Sequence, residues 1–232
     1  MKTAKAIAAV FLCTQTALAT DQLIESQNTL RNGKEWFTTG LRNKNTSLSK
    51  YRELTDLVAS ALALETMNHI QFKNITIETQ LAPIAGIEEE SPVVLLPVIR
   101  SGLSLLPTFL KYYQNAKVGF VGLARDEETA QAHWYYKKLP ALSGKEYIII
   151  LEPMLATGGT ALLVLEELKN SGADMNKIIF VSVVCAPEGI EKINAEFPSV
   201  KIITVGVDSH LNDKKFIVPG LGDFGDRYFG TE

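Results

Sequence analysis

Cysteine and histidine are scarce in this chain. Two cysteines (Cys13, Cys185) and three histidines (His69, His133, His210) are scattered over 232 residues. That excludes a disulfide framework and, with no His-Glu-x-x-His and no paired Cys/His spacing, a zinc centre. An excess of charge is lacking as well. Twenty-three basic residues stand against 26 acidic ones, a formal net charge of −3, so nothing marks an electrostatic nucleic-acid binder. An anionic substrate would need a local positive site, because the overall field does not attract it. There is no internal repeat, no low-complexity tract and no apolar run long enough to span a bilayer. Gly-x-x-x-x-Gly-Lys-Ser/Thr is absent, which excludes a Walker loop, and the glycine pair at 158–159 does not belong to a Gly-x-Gly-x-x-Gly.

What is present is an ordinary globular composition, 46% hydrophobic and 21% charged, enough to bury a sizeable core without staples. Cys185 sits in the apolar run Ile178 to Ala186 and reads as a small buried hydrophobe. At the start, Lys2 and Lys5 precede the apolar stretch Ala6 to Cys13, and Ala17-Leu18-Ala19 precedes Thr20. That is the layout of a secretory leader over residues 1–19; the alternative is an amphipathic N-terminal helix. Residues 20–232 then form a single domain.

A polar segment to about Ser49 reads as irregular or partly helical. Leu54, Leu57, Val58, Ala61, Leu62 and Leu64 recur at helical spacing, so Lys50 to Asn68 is a helix capped by Ser49. Ile75 to Leu81 alternates as a strand. From Pro92 on, short apolar runs alternate with helical stretches. Strands are expected at Val93–Val98, Val118–Ala124, Tyr147–Leu151, Ile178–Cys185 and Val200–Val207. Helices are expected at Gly102–Tyr113, Thr160–Asn170 and Gly189–Phe197. Continuous apolar strands separated by helices imply a mostly parallel sheet covered on both faces. Residues 125–146 break the rhythm. Arg125-Asp126-Glu127-Glu128-Thr129 is highly charged and His133 to Lys138 aromatic and basic, as in a protruding β-hairpin flap.

In an open parallel sheet, ligands bind at the carboxyl ends of the strands. There the sequence places Glu152-Pro-Met-Leu-Ala-Thr-Gly-Gly-Thr160. Gly158 and Gly159 allow a tight turn and close approach. The loop N–H groups and the following helix N-terminus make a phosphate nest, Thr157 and Thr160 add hydroxyls, and Glu152 is suited to accept bonds from sugar hydroxyls. A plain strand-to-helix turn is the bland alternative.

This segment resembles the phosphoribosyl diphosphate loop of type I phosphoribosyltransferases, and the fuller pattern is closest to the uracil phosphoribosyltransferase family. Pro97-Val-Ile-Arg-Ser-Gly-Leu103 resembles its diphosphate turn. Arg125 to Thr129 and Tyr135 to Leu139 resemble its flexible arm. Ala186-Pro-Glu-Gly-Ile190 matches a further segment. Pro219-Gly-Leu-Gly-Asp-Phe-Gly-Asp226, with Phe229-Gly-Thr231, resembles its base loop, and Leu41 to Ser47 and Tyr51 to Leu54 its N-terminal region. The likeness covers roughly residues 27–232.

The resemblance implies an α/β type I phosphoribosyltransferase fold. A central mostly parallel sheet would be flanked by helices, with a hairpin flap at about 125–146 and a small hood carrying a base-binding loop at about 208–226. It implies transfer of phosphoribose to uracil, giving UMP and diphosphate, with Mg2+ bound mainly through the diphosphate and a homodimer or higher oligomer. Arg125 and Asp223 are the implied catalytic residues. Arg100, Arg125, Glu152, Pro153, Met154, Leu155, Ala156, Thr157, Gly158, Gly159, Thr160 and Asp223 would bind phosphoribosyl diphosphate. Ile217, Gly222, Asp223 and Phe224 would bind uracil, largely through backbone groups. One departure stands out: Glu152 occupies a position where the family uses Asp, although related phosphoribosyltransferases use Glu.

Three rivals are weighed. A transferase for purine, orotate or xanthine shares the phosphate loop, but Pro219 to Asp226 argues against it. A binding or regulatory protein with the fold and little or no catalysis is the second, since fold does not fix function. The third is an exported protein with another role, suggested only by residues 1–19; it conflicts with the cytosolic substrate that the resemblance implies.

Overall fold

A computed structural model describes residues 23–25, 31–125 and 132–231. The expected leader, Cys13 and the charged flap tip at 126–131 lie outside the described residues, as does the side chain of Arg125.

In chain order the elements are β1 (Leu23–Glu25), α1 (Arg31–Arg42), α2 (Leu48–Met67), β2 (Phe72–Glu78), β3 (Pro83–Glu89), β4 (Val93–Ile99), a 3-10 turn (Ser101–Ser104) and α3 (Leu106–Tyr112). Then come β5 (Lys117–Val118), β6 (Phe120–Arg125), β7 (Ala132–Lys138), β8 (Tyr147–Leu151), β9 (Met154–Leu155) and α4 (Gly159–Asn170). A second 3-10 turn (Met175–Lys177), β10 (Ile178–Cys185), α5 (Pro187–Glu196), β11 (Lys201–Val207), β12 (His210–Leu211), β13 (Ile217–Val218) and α6 (Phe224–Phe229) follow.

The main sheet has the order β1-β11-β10-β8-β4-β6-β7. All of its pairings are parallel except β6 with β7. The continuous apolar strands split by parity. Val93, Leu95, Ile149, Leu151, Val181 and Ile203 face one core, shared with α2, α3 and α6. Val94, Leu96, Ile148, Ile150, Phe180 and Ile202 face the other, under α4 and α5. Successive side chains of a strand point to opposite faces, so a sheet covered on both sides needs this unbroken hydrophobicity.

Several expectations shift. Within the segment read as irregular or partly helical, residues 31–42 form a helix. Ser47, not Ser49, caps α2: its Oγ accepts the Lys50 N–H at 3.4 Å. The expected helix from Gly102 divides into the 3-10 turn and α3, with Pro107 in the first turn of α3. Residues 75–81 are not a lone strand. They belong to the hairpin β2–β3, paired from Phe72↔Glu89 to Glu78↔Pro83. Its second strand carries Pro83 and Gly86, which weaken the strand signal. At one edge of the main sheet β6 pairs antiparallel with β7, with an irregular register at Gly122/Leu123. The hood is the two-stranded sheet β12–β13.

Candidate active site

Since β4, β6, β8, β10 and β11 run the same way, their carboxyl ends meet on one edge. That edge carries Arg100 after β4, Arg125 at the end of β6, Glu152 after β8, and Asp208 after β11.

The phosphate loop is anchored from below. The Pro153 carbonyl accepts the N–H groups of Val183 (2.8 Å) and Val184 (3.1 Å), and the Leu155 carbonyl accepts that of Ala186 (2.8 Å). Leu155 is buried in the core and Met154 packs against it. Pro153, Met154 and Leu155, expected as binding residues, are therefore the sheet-bound stem of the loop, with Pro153 and Leu155 carbonyls already committed. The rest of the loop is Ala156 to Thr160, half-buried except for the buried Gly158. Gly158 takes φ +75° at the cap of α4, and a Cβ there would meet the Gly189 carbonyl oxygen at 3.2 Å. Gly159 has no such conformation, and a Cβ would meet only Thr157 Oγ1 at 3.6 Å. The loop's glycine requirement falls chiefly on Gly158. On the other side, Gly189 allows α5 to touch the loop: a Cβ there would lie 2.5 Å from the Ala156 oxygen.

Glu152 opens this loop, its N–H donating to the Val181 carbonyl of β10 at 3.1 Å. Its Oε2 is buried and has no hydrogen-bond partner among the described residues. Burial pushes its carboxyl pKa from 4.5 to about 8, because desolvation disfavours the charged form. An acceptor taken from water and left unpaired is destabilising until a ligand supplies donors.

The diphosphate turn is pressed against the same strand end. A Cβ on Gly102 would lie 2.1 Å from the Leu151 oxygen, so only glycine permits this approach. The Ile99–Arg100 peptide is cis. Arg100 donates to Asp226 Oδ1 at 2.8 Å, with a weaker contact to Thr231 at 3.4 Å. Thr231 and Arg100 hold the Asp226 carboxyl below its ordinary range. The Arg100 side chain is 54% exposed. Such an exposed pair contributes about 0–1 kcal/mol, so the guanidinium can exchange Asp226 for another anion.

The base loop divides in two. Ile217 and Phe224 are buried, and the Phe224 ring meets Tyr51 edge-on at 5.3 Å. These side chains are core, so Ile217 and Phe224 can meet a base only through the backbone. Gly222 and Asp223 are exposed. Gly222 has φ +83°, and Asp223 caps α6 by accepting the Asp226 N–H at 2.8 Å.

Three residues that hold this loop were not foreseen. Arg42 reaches Asp208 with both terminal nitrogens, at 2.8 and 2.5 Å, and donates to the Gly220 carbonyl at 2.7 Å. Asp208 in turn accepts the Gly220 N–H at 2.8 Å. Arg227 donates to the carbonyls of Leu221 (2.6 Å), Asn43 (2.7 Å) and Leu41, and lies over the Tyr51 ring, 4.4 Å from its centroid. Arg42 and Asp208 are 166 positions apart; a single sequence contains no signal of that pairing. Arg227 lies within Phe224 to Phe229 and its charge was visible, but not its inward direction.

A buried carboxyl at a strand end, a glycine nest capping the next helix, an arginine turn beside them and a hood overhead define a type I phosphoribosyltransferase. The comparisons narrow the class. The family model described as uracil phosphoribosyltransferase matches residues 33–231. The chain is 39% identical over 191 residues to the uracil phosphoribosyltransferase of Salinibacter ruber, covering 82% of this chain and 90% of that one. It is 40% identical over 195 residues to that of Dictyoglomus thermophilum, covering 84% and 93%. A solved structure from Aquifex aeolicus superposes with TM-score 0.81 at 36% identity, covering 90% of this chain and 99% of that one. The chain belongs to the uracil phosphoribosyltransferase family.

Proposed function

We infer that this protein transfers the phosphoribosyl group of phosphoribosyl diphosphate to uracil, releasing UMP and diphosphate in pyrimidine salvage. The observation that carries this is the unpartnered Glu152 carboxyl, buried beside the phosphate loop, in a chain of this family. The C1–diphosphate bond breaks, uracil N1 bonds to C1 and the N1 proton is lost. Positive charge develops on the ribose and negative charge on the leaving group. Glu152 accepts from the ribose hydroxyls, and Ala156 to Thr160 hold the 5-phosphate with loop N–H groups and hydroxyls. Arg100 and Arg125 clamp the diphosphate, guanidinium being the better fit to paired phosphate oxygens. The flap of β6 and β7 closes to keep water from the activated sugar. Backbone groups of Ile217, Gly222 and Phe224 read the uracil edge and reject cytosine, whose amine meets the wrong partner. Asp223, exposed beside them, faces the ribose.

Among the described residues no three acidic, His or Cys side chains gather around one point. Asp223 is exposed, a carboxylate that would be available to a Mg2+ ion arriving on the diphosphate; when bound, the ion would neutralise charge on the leaving group. The exposed Ile77, Leu81, Ile84 and Ile87 of the β2–β3 hairpin support a homodimer or higher oligomer, since an isolated hairpin is marginal in water. Among the described residues no helix is long and apolar enough to cross a membrane. Residues 1–19 act as a secretory leader or stay on a cytosolic enzyme, and the cytosolic substrate favours the second. N-terminal sequencing of the native protein decides, a start at Thr20 meaning export.

The test of the activity is UMP formation by the purified 20–232 protein with phosphoribosyl diphosphate, magnesium and, separately, uracil, cytosine, orotate, hypoxanthine and xanthine. Turnover with uracil alone is expected. Turnover with none of the five would overturn the reading.

A further inference from the structure

Beside the phosphate loop, under the hood, lies an open cavity of about 570 Å3. Thr157, Glu188, Glu191, Lys192, Leu211 and Lys215 line it. It joins three elements that the transfer reaction keeps separate in role: the phosphate loop, α5 and the hood. Two of its residues are cations without an assigned task. Lys192 and Lys215 are exposed; neither ammonium group makes a hydrogen bond or ion pair among the described residues, and Lys215 lies near enough to Glu188 to help lower that carboxyl.

Both are placed rather than scattered. Lys192 leaves α5 against the loop, since a Cβ on Gly158 would lie 3.4 Å from the Lys192 Cβ. Lys215 is the one non-glycine residue at positive φ (65°) among the described residues. A lysine gains nothing from that conformation and is strained in it, so an observed outlier here calls for a functional reason. The turn is held by Lys215 N–H donating to the Asn212 carbonyl at 2.8 Å and Phe216 N–H to Asn212 Oδ1 at 3.0 Å. Of the two carboxylates on the wall, Glu188 is engaged, accepting the Leu211 N–H at 2.9 Å. Glu191 remains as a charge that opposes an anion.

The nest itself, Ala156 to Thr160, contains no cation, and the chain as a whole is negative. Arg100 is not among the residues that line the cavity and is assigned to the diphosphate. A phosphomonoester on the nest therefore has backbone donors but no full positive charge beside it, unless the cavity supplies one. We propose that Lys192 and Lys215 are further binding residues for the sugar 5-phosphate, gripping the phosphomonoester of substrate and product from the cavity side of Thr157. This rests on the assignment of the loop as the phosphoribosyl site.

Titration calorimetry with ribose 5-phosphate, and separately with diphosphate plus magnesium, tests it on the 20–232 protein, Lys192→Met, Lys215→Gly and the double variant. Lys215→Gly removes the amine while relaxing the turn, so misfolding does not confuse the result. The double variant should bind ribose 5-phosphate about tenfold more weakly, in line with two lost partly screened charge contacts. Diphosphate binding should stay within about twofold, Lys192→Arg should restore most of the affinity, and Glu191→Gln should tighten it. If the double variant binds ribose 5-phosphate as the parent does while the parent forms UMP, the lysines are not phosphate ligands and the activity stands. A parent that neither binds ribose 5-phosphate nor forms UMP removes the loop assignment and this proposal together.

Discussion

Glu152→Gln separates the binding role of the site from its stability. In the free protein the Glu152 carboxyl is buried, unpartnered and shifted by burial from 4.5 to about 8. Between those values the folded state keeps a proton that the unfolded chain has released, so stability must fall as pH rises. The effect is absent below about pH 4 and complete above about pH 9, and reaches ~3 kcal/mol at pH 7 and ~5 kcal/mol at its limit. Glutamine has nearly the same shape and cannot ionise. Urea denaturation across this range should show the wild-type stability falling relative to Glu152→Gln by about those amounts. A ligand that donates sugar hydroxyls favours the carboxylate instead. Binding of phosphoribosyl diphosphate near neutral pH should then release close to one proton per site, seen as a buffer-dependent heat, and the variant should lose it. Parallel stability curves for the two proteins would refute the buried, proton-holding carboxyl. A release of protons unchanged in the variant would refute its role in binding.

Other perturbations probe other parts of the site. Gly158→Val should lose about 1–3 kcal/mol of stability from the forced left-handed conformation, with affinity for phosphoribosyl diphosphate falling more than affinity for uracil; equal affinities would remove Gly158 from the nest. Asp208→Ala removes the carboxylate from Arg42, which keeps the Gly220 carbonyl, and leaves the Gly220 N–H without its acceptor; a loss of about 1–3 kcal/mol is expected, together with a raised KM for uracil, both read by denaturation and initial rates. Arg125→Ala should cut turnover far more than it lowers melting temperature, and a large fall in melting temperature with unchanged kinetics would contradict the clamp.

The sequence determined the class of fold because unbroken apolar runs alternating with amphipathic stretches have few packings other than a parallel sheet covered on both faces. It also pointed to the glycine loop at 152–160 and, through the resemblance, to the turn at 97–103, since each is a short contiguous segment whose glycines and polar residues act locally. It named Glu152 as a sugar acceptor. Only the tertiary structure showed that Oε2 is buried without a partner, because burial is set by what packs around the end of β8 and not by the residues of the loop alone. Only the tertiary structure divided the nine residues 152–160 into a committed stem and an open nest, and shifted the glycine requirement from the pair to Gly158, since φ is set by where α5 presses on the loop. The supports of the base loop, Arg42 with Asp208 and Arg227 with the carbonyls of α1 and the loop after it, join ends of the chain that no local pattern connects. Hydrophobic periodicity and turn chemistry act over a few residues and are written in the sequence. Which polar groups are desolvated, and which distant partner meets them, is decided when the layers pack.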